Sequence, residues 1–139
     1  MDLALEEARV AAQAGEVPIG CVLVCDGEVI AQSGNRTLAE RDPTAHAEMV
    51  AIRRAAEALG SERLLECDLY VTLEPCTMCA AAISFARIRR LYYGAPDLVV
   101  RPRVGAFRAL DFLQASAILR AAEPVKVELK EKLAALLEG

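Results

Sequence analysis

The chain has 139 residues, of which 55% are hydrophobic, and a formal net charge of −4 at neutral pH. This length predicts a single domain, residues 1–139, that can bury a core of its own. No run approaches the roughly 18 consecutive apolar residues of a membrane span, and the acidic start does not resemble a secretion signal, so we expect a cytoplasmic protein without a membrane partner.

The first predicted elements are a helix and a β-hairpin. Residues 2–14 have helical apolar spacing and are followed by Gly15, a common residue just past a helix end. Residues 19–25 and 28–33 are β-rich and flank Asp26-Gly27, a pair typical of a two-residue hairpin turn. The two strands should therefore be antiparallel neighbours.

The first strand carries two of the five cysteines. Cys21 and Cys25 share a strand face with Leu23, which favours core positions over a redox or metal role. An odd number of cysteines also fits a reducing compartment better than a disulfide framework.

Two further helices and two further strands are predicted before the C-terminal third. One helix should open at Asp42-Pro43, with proline at the first helical position, and end at Gly60. The other, residues 77–86, follows a strand at 69–73 and the strand-breaking Pro75. Beyond it the sequence predicts a strand at 88–93, a helix at 110–122, an extended segment at 125–129 and a short helix at 133–137.

This order of elements predicts an α/β protein, a three-layer α/β/α sandwich with a mixed sheet. Strand–helix–strand units should be parallel with right-handed crossovers. The second and third helices would then start at the carboxyl ends of strands, where open α/β sheets bind ligands.

Four side chains at these two helix starts form a set suited to a catalytic metal: His46, Glu48, Cys76 and Cys79. One imidazole and two thiols suit Zn²⁺, and three protein ligands leave a fourth tetrahedral position for water. Zinc lowers the pKa of that water toward neutrality, and Glu48, which need not be a ligand, is placed to move its proton. Residues two apart do not share a face of a regular helix, so His46 must lie at the irregular start of its helix.

Other interpretations of Cys76 and Cys79 are a thioredoxin-like redox pair and half of a structural zinc site. The upstream His46 and Glu48 argue against both. Because His46 is the only histidine in the chain, a three-histidine or His-Glu-x-x-His site is excluded.

These motifs resemble a known signature. His46-Ala47-Glu48 and Pro75-Cys76-Thr77-Met78-Cys79 are similar to the His-x-Glu and Pro-Cys-x-x-Cys motifs of the zinc-dependent cytidine and deoxycytidylate deaminase superfamily. More narrowly, residues 15–20, 34–36, 41–48 and 70–76 resemble the bacterial tRNA-specific adenosine deaminases. The similarity runs from about residue 1 to Asp97.

The resemblance implies a cytidine-deaminase-like fold, one zinc ion per chain and a hydrolase. Its implied reaction is hydrolytic deamination of adenosine to inosine in a flipped-out nucleotide, at the anticodon wobble position of tRNA. The implied partners are tRNA or another single-stranded nucleic acid, and a second copy of the chain that makes a homodimer through residues 77–86 and the following strand.

The resemblance also implies roles for residues around the metal. Asn35, which could otherwise be a simple turn residue, and the backbone of Ala47 would orient the base. Ile19 and Leu73 would line the pocket, and Asp97 would lie near the target nucleotide.

Residues 98–124 depart from the family, so alternatives to tRNA remain open. The same metal site could serve a deaminase of a free base or nucleoside, such as guanine or cytosine, or an engineered or diverged deaminase of single-stranded DNA. A non-enzymatic zinc-stabilised module is a third alternative, disfavoured because structural zinc sites normally take all four ligands from protein.

Positive charge is concentrated in one segment. Residues 87–108 contain six arginines and one acid, whereas residues 1–86 contain six arginines and 14 acids. Such a segment could bind phosphates, with Arg101 and Arg103 as our candidates. The alternative is a solvated strand and turn whose arginines pair with acids elsewhere.

Overall fold

The structure is a computed structural model that describes residues 1–95 and the short strand at residues 123–124. This part of the chain forms three helices and five strands, and none of its helices is long and apolar enough to span a membrane. The elements predicted at 110–122, 125–129 and 133–137 lie outside the described residues. The observed elements are α1 (Asp2–Gln13), β1 (Gly20–Cys25), β2 (Glu28–Gly34), α2 (Ala47–Leu59), β3 (Cys67–Leu73), α3 (Thr77–Phe85), β4 (Arg90–Ala95) and β5 (Glu123–Pro124).

The five strands form one mixed sheet in the order β2-β1-β3-β4-β5. β1 is antiparallel to both β2 and β3, whereas β3, β4 and β5 are parallel to one another. The predicted mixed α/β sheet is therefore confirmed, including the parallel unit β3-α3-β4.

The predicted hairpin turn is also confirmed. Asp26 and Gly27 both have positive φ, 51° and 81°. This combination is typical of a type I′ turn, whose twist matches that of the flanking strands. At the far end of the hairpin, Gly20 pairs with Gly34, so the start of β1 and the end of β2 lie at the same edge of the sheet.

One face of the sheet is apolar and is covered by α2 and α3. Leu23, Leu69 and Leu91 lie side by side across β1, β3 and β4, and none of them is accessible to solvent. Burial of each leucine stabilises the fold by roughly 1.5–3 kcal/mol, so this row holds the central strands in register. From α2, the small side chains of Ala47, Ala51 and Ala55 pack into the same core.

The other face of the sheet is covered by α1, which lies directly on β1. A methyl group at Gly20 would overlap the carbonyl oxygen of Ala4, so the helix can approach this closely only because β1 begins with glycine. The contact also places the loop after α1 beside the edge where β1 begins and β2 ends.

The predicted start of α2 at Asp42-Pro43 is wrong, because the helix begins at Ala47. Asp42 accepts hydrogen bonds at its side chain from the N–H and hydroxyl of Thr44, at 2.8 and 2.7 Å, and at its carbonyl from the N–H of Ala45, at 3.0 Å. These local bonds form a turn that competes with the helix. Pro43 therefore lies in the turn.

Cys25 lies in the core, as expected, but the expectation against disulfides is wrong. A disulfide joins Cys25, the last residue of β1, to Cys67, the first residue of β3. The register of the two antiparallel strands places these residues directly opposite each other, although they are 42 residues apart in sequence. Cys21, by contrast, is a free buried cysteine.

Candidate active site

His46 and Cys76 occupy equivalent positions at the starts of two helices. His46 is the N-cap of α2, with φ −66° and ψ 155°, and Cys76 is the N-cap of α3, with φ −68° and ψ 170°. An N-cap side chain usually accepts a hydrogen bond from the first turn, but neither of these does so. The extended backbone at His46 also resolves the spacing problem, because Glu48 in the first turn can now approach the same point.

The side chains of His46, Cys76 and Cys79 converge. Nδ1 of His46 lies 3.6 Å from Sγ of each cysteine, and the candidate ligand atoms all lie within 4.8 Å of one another. Ordinary zinc bonds, about 2.3 Å to sulfur and 2.0–2.1 Å to nitrogen, place tetrahedral sulfur and nitrogen ligands about 3.5 Å apart. The three residues therefore fit a zinc ion, and the described residues contain no second group of this kind.

The three groups alter each other's affinity for protons. A hydrogen bond from Cys79, helped by His46, lowers the pKa of Cys76 to about 4 despite burial. The pKa of Cys79 is raised because its proton is held by Cys76 and because the thiol is buried. The hydrogen bond to Cys76 also raises the pKa of His46. Thiolate is the form that binds metals, so Cys76 is already prepared for ligation.

Glu48 is the acid beside these three residues. Its side chain is buried, with 4% of the residue exposed. Burial, with a contribution from negative charge at Cys76, raises the pKa of Glu48 to about 7, although its own N–H and His46 act in the other direction. A carboxyl group that titrates near neutrality can both accept and donate a proton.

The other residues predicted to contact substrate lie near the same edge of the sheet. Asn35, directly after β2, donates its backbone N–H to the carbonyl of Ile19 at 3.0 Å. Ala47 is buried in the first turn of α2, and Leu73 is half-buried at the end of β3. Asp97, Arg101 and Arg103 lie outside the described residues.

One arginine of the basic segment pairs with acids at the edge of the sheet opposite the metal site. Arg89 donates two hydrogen bonds of 2.9 Å to the carboxylate of Asp68 and lies 3.4 Å from Glu66. Asp68 is near the start of β3, whereas Cys76 follows its end. Arg89 therefore fits the alternative to phosphate binding, in which the arginines of this segment are solvated and pair with acids elsewhere.

Glu16 is a buried polar residue to which the sequence assigned no role. Only 7% of it is exposed, and its carboxylate accepts hydrogen bonds from residues 35–39, the segment that starts at Asn35. A signal was present, because Glu16 lies within residues 15–20, which carry part of the family resemblance. The resemblance alone did not say what this carboxylate contacts.

The family model for the cytidine and deoxycytidylate deaminase zinc-binding region matches residues 1–95. The matched range contains both helix starts and every described residue of the site.

Individual relatives show which members of this family the chain is similar to. The tRNA-specific adenosine deaminase of Agrobacterium fabrum is 70% identical over 106 residues, which are 76% of this chain and 67% of the relative. The tRNA-specific adenosine deaminase of Bacillus subtilis is 43% identical over 140 residues, covering 100% of this chain and 84% of the relative.

Two solved structures are similar as well. One comes from a study of A-to-I editing by tRNA:A34 deaminases at the wobble position of transfer RNA. It is 73% identical with a TM-score of 0.69, and the match covers 70% of this chain and 75% of the solved chain. The other is guanine deaminase from Bacillus subtilis. It is 34% identical with a TM-score of 0.69, and the match covers 99% of this chain and 88% of the solved chain.

Proposed function

Since the chain belongs to the cytidine and deoxycytidylate deaminase family and is an enzyme of hydrolytic deamination, we propose that its substrate is adenosine at the wobble position of a tRNA anticodon. The product is inosine. Similarity to the tRNA-specific adenosine deaminases of two bacteria supports the substrate. A cytoplasmic location and a single domain over residues 1–139 are further parts of the proposal.

The observation that carries the chemistry is the meeting of one imidazole, two thiols and one buried carboxyl at two helix starts. His46, Cys76 and Cys79 would hold zinc, consistent with the 3.6 Å separations between Nδ1 and each Sγ. When bound, zinc lowers the pKa of a coordinated water and makes hydroxide available near neutral pH.

Glu48 is the proposed catalytic acid and base. It accepts a proton from the attacking water and passes it to N1 of the adenine ring as the new bond forms at C6. It then takes the remaining proton from the new C6 hydroxyl and delivers it to the amino group, so that the C6–N bond breaks and the C6 carbonyl forms. Water and adenosine are thereby converted to inosine and ammonia.

The base would be held by residues at the same edge of the sheet. Asn35 and the backbone of Ala47 orient it, Ile19 and Leu73 line the pocket, and Asp97 lies near the target nucleotide. The nucleotide must leave its base stack to reach a buried carboxyl such as Glu48. Arg101 and Arg103 are the proposed contacts to the phosphates of the RNA.

A homodimer is part of the proposal. Its interface would be α3 and the following strand. Phe85, at the end of α3, is 78% exposed, the largest exposed fraction among the large apolar side chains that the structure describes. An aromatic ring left in water on a short helix supports an interface there.

A substrate panel tests the proposed function: an anticodon stem-loop, single-stranded DNA, adenosine, guanine and cytosine, each assayed for released ammonia. We expect turnover to be highest on the stem-loop and to fall steeply with added salt, because phosphate binding releases counterions. Reversing charge at Arg101 and Arg103 should weaken RNA binding and flatten that dependence, with Arg63→Glu, an exposed position elsewhere, as the matched control.

The competing function is supported by one comparison, because the guanine deaminase covers 99% of this chain. Turnover of guanine or cytosine at least equal to that of the stem-loop, without salt dependence, would contradict the tRNA proposal. The metal site and Glu48 would keep their roles in that case.

A further inference from the structure

The carboxylate of Glu16 organises the segment that leads from β2 toward the metal site. Oε1 accepts hydrogen bonds from the backbone N–H groups of Leu38 and Ala39 at 2.9 and 2.8 Å. Oε2 accepts hydrogen bonds from Nδ2 of Asn35 and the hydroxyl of Thr37, both at 3.2 Å. One carboxylate thus binds four donors from five consecutive residues.

Glu16 is ionised in this environment although it is buried. Burial by itself would raise the pKa of the carboxyl, but the hydrogen bonds from Ala39, Leu38, Thr37 and Asn35 outweigh it and lower the pKa. An ionised carboxylate can only accept hydrogen bonds. Each of the four groups that face Glu16 must therefore be a donor.

This requirement fixes the orientation of the Asn35 side chain. Its amide must turn Nδ2 toward Glu16, and the same Nδ2 also donates to the hydroxyl oxygen of Thr37 at 3.2 Å. Both acceptors thus lie on the nitrogen side of the amide. The oxygen Oδ1 accepts no hydrogen bond from the part of the chain that the structure describes, so it is the atom left for another molecule.

The segment is also joined to the metal ligands. The backbone N–H of Arg36 donates to the carbonyl of Ala45, the residue before His46, at 2.9 Å. The N–H of Asn35 donates to the carbonyl of Ile19 at 3.0 Å. Asn35 is therefore held between the start of β1 and the start of α2, with Glu16 setting the rotation of its amide.

We propose that Glu16 is a positioning residue for substrate recognition, which fixes Asn35 so that Oδ1 accepts a hydrogen bond from a donor group of the substrate. The inference rests on the proposed function, because it takes Asn35 as a substrate contact. It assigns a role to a motif residue that neither binds the metal nor transfers a proton.

The variant Glu16→Gln gives a sharp test, because it keeps the shape of the side chain and replaces one acceptor oxygen with a donor nitrogen. If the remaining oxygen keeps Leu38 and Ala39, the new nitrogen faces Nδ2 of Asn35, and two donors then oppose each other. The Asn35 amide should turn over and present its nitrogen to the substrate.

We expect Glu16→Gln to lower kcat/KM on the stem-loop by about 10²-fold, mostly through KM, with zinc content unchanged. Asn35→Ala should cause a similar loss. Because Glu16 acts through Asn35, the double variant should be no more than about three-fold worse than the poorer single variant. The control Glu6→Gln removes an equal charge from an exposed ion pair on α1, and its kcat/KM should match that of the parent protein.

A second measurement does not depend on turnover. In ¹⁵N-resolved NMR spectra, Glu16→Gln should shift the side-chain amide signals of Asn35 and leave the backbone signals of Leu38 and Ala39 nearly unchanged. Thr37→Val, which removes one partner of the same amide, should shift those signals in a protein that is otherwise intact.

Unchanged Asn35 side-chain signals in both variants would overturn the inference, as would additive losses in the kinetic cycle. A protein that turns over guanine but not the stem-loop would contradict the proposed function alone; the kinetic cycle would then be run on guanine, and the NMR result would stand by itself.

Discussion

We propose different tasks for side chains that lie close together in this site, and substitutions can separate them. Removing Cys76 or Cys79 would delete a thiol from the proposed three-ligand site, whereas removing Glu48 would delete the proposed proton carrier. The structure groups His46 with both thiols, because one nitrogen of His46 lies 3.6 Å from each sulfur.

Cys76→Ala and Cys79→Ala should each lose zinc and deaminase activity together. A site that keeps two protein ligands holds the ion far more weakly than one with three. Metal content per chain and ammonia release should be measured on the same preparation, with Cys21→Ala, a buried free cysteine in β1, as a control that keeps its zinc. Full activity in a metal-free preparation would contradict the assignment.

Glu48→Ala should retain about one zinc per chain while its rate falls on the order of 10²-fold or more, the usual scale of general acid–base catalysis. His46→Ala provides the comparison, because it should lose the metal itself. If the two variants lost zinc to a similar extent, Glu48 would be a ligand and the proton-transfer role would be wrong.

The positions of the helices and of the hairpin turn could be predicted from the sequence only in part. The apolar spacing and Pro75 located α3 within one residue at each end, and the Asp26-Gly27 pair located the hairpin turn. The start of α2 was placed too early, because the bonds between Asp42 and Thr44 are local interactions that no periodicity reveals.

Close packing of α1 on β1 is a second feature at the scale of elements. Gly20→Ala should destabilise the protein by about 2 kcal/mol or more, because the added methyl group overlaps Ala4 and pushes α1 away from β1. Gly27→Ala is the matched control: its methyl group meets no atom within 4 Å, so its cost is limited to the positive φ of 81°, about 1–2 kcal/mol.

Thermal or urea unfolding of the two variants measures this difference. Equal losses of stability would show that α1 moves away from the sheet at little cost. Because Glu16 lies three residues after the end of α1, a displaced helix should also raise KM in Gly20→Ala.

At the scale of the whole molecule, sequence order predicted the sheet but not every contact across it. The antiparallel hairpin and the parallel β3-α3-β4 unit follow from the alternation of elements and from chain handedness. The disulfide between Cys25 and Cys67 could not be predicted, because it depends on the register of β1 against β3. Glu16 was missed for a similar reason, since its four donors lie about 20 residues away.

The proposed homodimer gives a prediction at the same scale. Phe85→Glu should convert a dimer to a monomer in sedimentation or light-scattering measurements, because it puts a charge into the proposed interface. Val10→Glu, at an apolar position on α1 that is 51% exposed, should leave the assembly unchanged. A parent protein that is monomeric at high concentration would exclude this interface.

The distribution of sulfur in the fold has a practical consequence. All five cysteines are in the described part of the chain: Cys25 and Cys67 are bonded to each other, Cys21 and Cys79 are buried, and Cys76 alone is partly exposed. A coloured thiol reagent should thus find one reachable sulfur in the folded, metal-free protein, and it is a proposed metal ligand. The rate at which Cys76 is labelled would report the fraction of molecules that carry zinc, without any nucleic acid in the assay.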